Sequence, residues 1–406
     1  MKCTHTALPC LLALALALCP PEGRAETPAF HYPAASYSPA RKAGPGKAGK
    51  TARTAELKIV NGIPVLRVAG SPEEMGQAVG VLALKPARRV LQYPREMLQR
   101  LRGNFLWGTL TFTGKGMFHS FPDDHKKELE ALVRAAGVDR DLVIAGNTFF
   151  DLAKMFACSA VAVQKEKSAT GGPLLARNLD YPSLGYVHQY SLVTVYRPEG
   201  KLAFASVGFP GLVGVLSGMN EAGLALAVLE VPEAKGKQQD YDVKGVPYAL
   251  CLRRVLEQAR TIDEAQKVLE GFRRTTAINV ALADRRGAAV LEVTPLKVVR
   301  RGPADGVCAA TNHFLSAALR PEKVSDLDDT LGRYARLSQV RTWKEKATPQ
   351  MLQKKLDTVN LGTLTLQTMV FEPETLRLHL AIGKPPASKL PLRTLELADL
   401  LRPARK

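Results

Sequence analysis

From Ser159 onward the chain breaks into short apolar runs, each long enough for one strand and each closed by Gly, Pro, Asn or charged residues. Before that point apolar residues recur mainly at helical spacing. The runs are Ser159 to Gln164, Pro173 to Asn178, Ser191 to Tyr196, Leu202 to Val207, Val213 to Ser217 and Leu224 to Val231. They predict a stacked antiparallel sheet. Helical periodicity returns at Leu252, Val255, Leu256 and Ala259, and again after Thr261-Ile262-Asp263-Glu264, which reads as a capping box. These two helices are expected to cover one face. The β texture resumes at Ile278 to Ala283, Ala288 to Val293 and Thr365 to Phe371, with a further helix around Leu331 to Trp343. Strands, then helices, then strands on one core predict an α+β fold, a four-layer αββα sandwich.

The front of the chain divides by composition. Lys2, the apolar run Ala7 to Leu18 and the small-residue site Gly23-Arg24-Ala25 read as a signal peptide over residues 1–25, giving a secreted or periplasmic protein. Lipid attachment at Cys19 is a lesser alternative. Residues 26–56, rich in Pro, Ala, Gly and Lys, read as a flexible basic tether. Residues 57–157 then form a mostly helical segment. It opens on β-type runs around Asn61-Gly62 and a helix start at Ser71-Pro72-Glu73-Glu74, where an N-cap, a first-turn proline and a reciprocal glutamate coincide. Asp123-Asp124 opens another helix. Residues 158–406 carry the chemistry.

The net charge of +18 invites a search for nucleic-acid motifs, but Lys and Arg are dispersed and no zinc-finger or aromatic-interleaved basic pattern accompanies them. No later apolar stretch approaches the ~20 residues of a membrane-spanning helix. The histidines are too scattered for metal-ligand spacing, and the Gly-rich pieces lack a nucleotide-binding context, so neither metal nor cofactor is expected. Outside the signal stand Cys158, Cys251 and Cys308, an odd number, so at least one thiol stays unpaired within the chain.

Cys158 lies at the seam between the two textures. If Ser159 to Gln164 and Pro173 to Asn178 form a hairpin across the polar Lys165 to Gly172 turn, its far ends bring Cys158 beside Arg177 to Asp180. A guanidinium there should lower the thiol pKa from its usual ~8.5. Were the preceding peptide cut, the new α-amino group, with a pKa of ~7.7 to 8.0, could serve as general base. On its own, Cys158 reads equally as a buried structural cysteine, and Arg177 and Asp180 as an ion pair.

The surrounding pieces resemble one family. Gly70 to Gln77, Cys158, Arg177-Asn178-Leu179-Asp180, Gly218-Met219-Asn220-Glu221-Ala222-Gly223-Leu224 and Thr311-Asn312-His313-Phe314 resemble, in order and spacing, the cysteine N-terminal-nucleophile hydrolases. They are similar in particular to the acyl-CoA:6-aminopenicillanic acid acyltransferase-like family of peptidase C45, related to bile-salt hydrolases and acid ceramidase. The resemblance implies a chain that cleaves itself between Ala157 and Cys158, keeps the excised segment as a small chain, and uses Cys158 on the amide bond of an N-acylated small molecule. It implies that Asp180 anchors the new α-amine, that Arg177 stabilises thiolate or substrate, and that Asn312 donates to the oxyanion. Arg333 or Arg336 takes the place of a distal site arginine, and Asn178, Tyr181 and Glu230 belong to the substrate surroundings. Two departures matter: Ala157 replaces the glycine of the penicillin enzyme, and Glu230 stands where bile-salt hydrolases have an oxyanion asparagine, which argues against an acidic bile-salt conjugate. Asn220 is read as shaping its turn. A histidine-assisted thiol peptidase using His188 or His313, and a non-catalytic binding protein, are the alternatives.

Overall fold

The computed structural model describes Tyr32, residues 35–37, 55–154, 157–236 and 241–403. The signal region lies outside the described residues, as does most of the tether.

A ten-stranded sheet carries, in spatial order, β1 (Ala35–Tyr37), β2 (Ala55–Val60), β3 (Ile63–Gly70), β6 (Leu192–Pro198), β7 (Phe204–Gly208), β8 (Ser217–Asn220), β9 (Ala225–Glu230), β10 (Ile278–Ala283), β11 (Ala288–Val293) and β12 (Val298–Arg301). A six-stranded sheet carries β13 (Val307–Ala310), β4 (Ser159–Val163), β5 (Leu174–Asp180), β14 (Thr365–Glu372), β15 (Arg377–Ile382) and β16 (Arg393–Glu396). The sheets face one another, with Ala160, Ala162, Leu175 and Leu179 of the smaller sheet in one core with Val228 and Val280 of the larger. On the outer side of the small sheet, Val161, Val163, Leu174 and Ala176 pack against Leu337 and Leu352. Those two belong to helices α8 (Thr330–Ser338) and α9 (Pro349–Asp357). Both faces of β4 and β5 are therefore apolar, because each meets another layer.

Helix α6 (Tyr248–Gln258), followed by α7 (Ile262–Glu270), covers the other side of the large sheet. It sits so close that an ideal Cβ on Gly214 would fall 2.5 Å from that of Ala249, and one on Gly218 2.8 Å from Leu256 Cδ1. This is the expected four-layer αββα arrangement. The stretch Val213 to Leu216 is not a strand: Val215 N–H bonds to Ala249 O and docks this loop against α6, so pairing begins only at Ser217.

The N-terminal segment runs through α1 (Pro72–Val79), α2 (Tyr93–Arg100), α3 (Trp107–Phe118), α4 (Asp123–Ala136) and α5 (Arg140–Ala153). Both halves of the capping box between Ser71 and Glu74 form. The segment is more than a helical cover, however, because β2 and β3 belong to the large sheet and β3 pairs in parallel with β6. The tether reading is also corrected in part. Residues 35–37 pair with Ala55 to Leu57, and the buried Tyr32 donates its hydroxyl to Tyr190 O at 2.8 Å, so backbone and ring burial draw this stretch into the fold.

Ion pairs tie α4 to α6. Arg253 binds Glu128 through two nitrogens and Glu257 through Nε, at 2.9 Å, with all three side chains buried. Lys201 and Arg254 each reach both Asp124 and Glu257. Asp124, His125 and Glu257 come within metal-ligating distance of one another, but the carboxylates already serve these cations. A metal ion would add positive charge where three basic groups converge.

Candidate active site

Strand alternation builds the site. Leu175, Arg177 and Leu179 point into the space between the sheets, whereas Asn178 points outward, its amide nitrogen 2.9 Å from Leu356 O and its oxygen accepting from Thr368 at 2.7 Å. The neighbouring residue thus holds α9 in place and does not reach the nucleophile, which corrects its assignment to the substrate surroundings. The β4–β5 hairpin forms with Ala160 opposite Arg177, and Cys158 immediately precedes β4.

Arg177 Nη2 lies 2.8 Å from Cys158 Sγ and 3.0 Å from Val228 O, while Nη1 donates to Ser217 Oγ at 2.5 Å. The guanidinium is thus fixed by the opposite sheet and aimed at the sulfur. The thiol is nonetheless pushed up to about 11, because burial outweighs the attraction of Arg177, and the charges of Asp180 and Glu230 add to the rise. Arg177 does pull the thiol down, as the sequence leads one to expect, but one cation does not offset complete burial.

The backbone at Cys158 is gripped from both sides. Its N–H donates to Asn312 Oδ1 at 2.9 Å, and its carbonyl accepts from Arg333 Nη1 at 2.8 Å. Arg333 also donates to Asn312 Oδ1 at 3.0 Å and to Asp328 O at 2.8 Å. Asn312 Nδ2 donates to the Glu230 carbonyl at 2.8 Å. One residue earlier, Ala157 N donates to Asp180 O at 3.2 Å. Of the two candidate arginines, Arg333 is buried against the nucleophile, whereas Arg336 sits at the surface with Asp329, 2.7 Å away. Residues 333 and 336 lie on adjacent faces of α8, and only one face meets β4.

Asp180 ends β5. Its Oδ1 accepts from Thr365, its Oδ2 is buried with no hydrogen-bond partner among the described residues, and burial pushes its carboxyl up to about 7 against the pull of Thr365, Arg333 and Arg177. The Glu230 carboxylate is buried too and accepts from Tyr248 Oη at 2.8 Å. The Tyr181 ring packs against Tyr93 and Phe150, with centroids 5.3 and 5.7 Å away. These rings, with Phe149, Phe209 and Leu212, line an apolar cavity between the N-terminal segment and the sheets. Asn220 shapes its turn as expected, accepting from Ala222 N and Leu224 N.

Neither histidine proposed for a thiol peptidase is bonded to Cys158. His188 Nδ1 lies 2.7 Å from Ser183 Oγ, and His313 Nδ1 is shared between Thr311 and Thr330. Cys158, Cys251 and Cys308 are all free and buried. Ser217, Val228 and Tyr248 carry no sequence signal, since a side chain or carbonyl supplied by the opposite sheet or by the helix behind it follows no local pattern.

Residues 165–387, more than half of the chain, match the family described as acyl-coenzyme A:6-aminopenicillanic acid acyl-transferase. The chain belongs to that family. The match takes in Arg177, Asp180, Glu230, Asn312 and Arg333 and begins downstream of Cys158.

Among relatives of this acyltransferase-family chain, an uncharacterized protein of Archaeoglobus fulgidus is 25% identical over 276 residues, covering 59% of this chain and 45% of that protein. The protein dcd1B of Dictyostelium discoideum is 22% identical over 266 residues, covering 59% of this chain and 52% of that one. The chain spans about half the length of the curated relatives it matches. Among solved structures, a conjugated bile acid hydrolase of Clostridium perfringens aligns with a TM-score of 0.44 at 15% identity, over 60% of this chain and 93% of that one.

Proposed function

We propose that the protein cuts its own chain between Ala157 and Cys158 and then uses Cys158 to take the acyl group from an N-acylated small molecule. The observation that carries this reading is the clamp on one residue: Asn312 holds the N–H of Cys158 in the peptide to be cut, Arg333 the Cys158 carbonyl in the next peptide, and Arg177 the sulfur.

In the first reaction the Cys158 sulfur attacks the Ala157 carbonyl carbon. The C–S bond forms, the C–N bond breaks, and the thiol proton ends on the departing Cys158 nitrogen. Water then cleaves the thioester, leaving an Ala157 carboxylate and a free thiol. The new α-amine, with a pKa near ~7.7 to 8.0 in water, becomes the base for the next cycle. Asp180 is suited to anchor it, because its buried Oδ2 has no other partner among the described residues. In the second reaction the thiolate attacks a substrate amide, the amine leaves with a proton, and water or another acceptor takes the acyl group. Arg177 supplies positive potential for the oxyanion, whereas Asn312 presents its oxygen to the Cys158 backbone and its amide nitrogen to the Glu230 carbonyl, so the expected donation from Asn312 would need that amide to turn.

The aromatic cavity beside Tyr181 suits an apolar acyl chain. The Glu230 carboxylate disfavours an acidic leaving group at the sulfur. We read residues 1–25 as an export signal, and outside the cytosol water is the available acceptor and acyl-CoA is not.

Intact mass and N-terminal sequencing beside Cys158→Ala test the reading. Two chains, one beginning at Cys158, with the variant left whole, are expected; one uncut chain in both would sink self-cleavage.

A further inference from the structure

The buried carboxylate of Asp151 lies in α5, ahead of the nucleophile in sequence, yet it is built into the wall behind the site. Its Oδ1 accepts the N–H of Tyr248 at 3.1 Å and the hydroxyl of Thr275, and its Oδ2 is buried with no hydrogen-bond partner among the described residues. Tyr248 is the first residue of α6, where the helix leaves N–H groups without an internal acceptor, so Asp151 acts as a cap supplied from another element. From that anchored position the Tyr248 ring, itself buried, sends its hydroxyl to Glu230 Oε1 at 2.8 Å. Burial together with the neighbouring Glu230 and Asp151 carboxylates keeps the phenol protonated, so Tyr248 is the donor in this bond. Glu230 in turn holds Asn312 through its backbone oxygen, and Asn312 holds Cys158.

We propose that Tyr248 is a positioning residue for the thiol: anchored by Asp151 of the N-terminal segment, it fixes the direction of the Glu230 carboxylate relative to Cys158. The N-terminal segment then contributes to the site through a defined relay as well as through packing. The proposal rests on Cys158 being the nucleophile.

The charged groups around the sulfur are Arg177 from β5, Asp180 at the end of β5, Glu230 from β9 and Arg333 from α8. Glu230 and Asp180 raise the thiol and Arg177 lowers it. Removing the phenol oxygen takes away the hydrogen bond that aims Oε1 of Glu230, and the carboxylate shifts relative to the sulfur. One source of repulsion on the thiolate is then lost, and the Cys158 titration moves to lower pH.

The test is iodoacetamide alkylation of the full chain, scored on the Cys158 peptide by mass, across about pH 8 to 12. Tyr248→Phe should lower the midpoint by about 1 in pH, and Glu230→Gln should lower it as well. The double variant should match Glu230→Gln alone, because the tyrosine acts only through that carboxylate. Asp151→Ala should move the midpoint in the same direction; if that variant fails to fold, the single-oxygen change at Tyr248 still decides. A Tyr248→Phe profile overlaying the wild type, or a double variant whose shift is the sum of the two singles, overturns the proposal. A chain that never cuts itself but whose midpoint moves as described sinks self-cleavage and upholds the Tyr248 relay.

Discussion

Arg177 donates to the Cys158 sulfur from 2.8 Å, yet the thiol beside it is harder to ionise than a free one. The two facts fit together if the guanidinium is an orienting group for a sulfur that has yet to be exposed. Replacing it by an apolar side chain of similar length separates these roles. Arg177→Met should slow self-cleavage by about a hundredfold or more, the scale of losing one charged donor at a reacting centre, as followed by gel densitometry over time.

Asp180 makes the uncut chain pH-sensitive. Its carboxyl is pushed up to about 7 in the fold against an ordinary value of 3.8. The folded chain therefore holds a proton that the unfolded chain has released, and stability contributed below about pH 4 is lost as pH rises through about 7. In a Cys158→Ala background, denaturant unfolding should show stability falling over that window. Asp180→Asn should flatten the fall and recover about 2 to 4 kcal/mol at pH 8. An unchanged slope would place the titration elsewhere.

Arg253 is the cation that α4 and the sheet cannot lose cheaply, since both Glu128 and Glu257 depend on it and it lies over the Tyr196 ring at 4.6 Å. Arg253→Ala strands the buried Glu128 carboxylate and takes one of three cations from Glu257, and should cost about 3 to 5 kcal/mol. Replacing Arg253, Glu128 and Glu257 together by apolar residues should cost much less. Both are read by urea unfolding.

Gly76 permits α1 to touch α4, because a Cβ there would lie 2.1 Å from the Glu128 backbone oxygen. Gly76→Ala should destabilise by about 1 to 3 kcal/mol through forced separation of the helices, visible as a lower Tm with cleavage chemistry retained once folded.

Much of this was readable in advance, for reasons that can be named. The Cys158–Arg177 contact followed from a hairpin with a polar turn, which is local information. Arg333 could not be separated from Arg336, because both are exposed to the same sequence context and only the packing of α8 on β4 chooses between them. Tyr248 was invisible, since its role depends on Asp151 and Glu230, residues distant in sequence that meet only once both layers close. The strands β12, β13, β15 and β16 carry no clear sequence signal either. They are short or carry charged and histidine residues, as where His379 of β15 pairs with Glu372.

The parallel pairing of β3 with β6 has a thermodynamic side. In the continuous chain, everything from Pro72 to Ser191 is one long crossover whose ends are tethered, so the entropy of bringing the two strands together is that of closing a loop. A cut at Cys158 opens that loop. The same interface then joins two molecules, and re-forming it from separated chains depends on their concentration. A mature protein of this design would keep its shape because it was assembled before it was divided. Unfolded and diluted, it should recover poorly, while the uncut Cys158→Ala chain refolds alone.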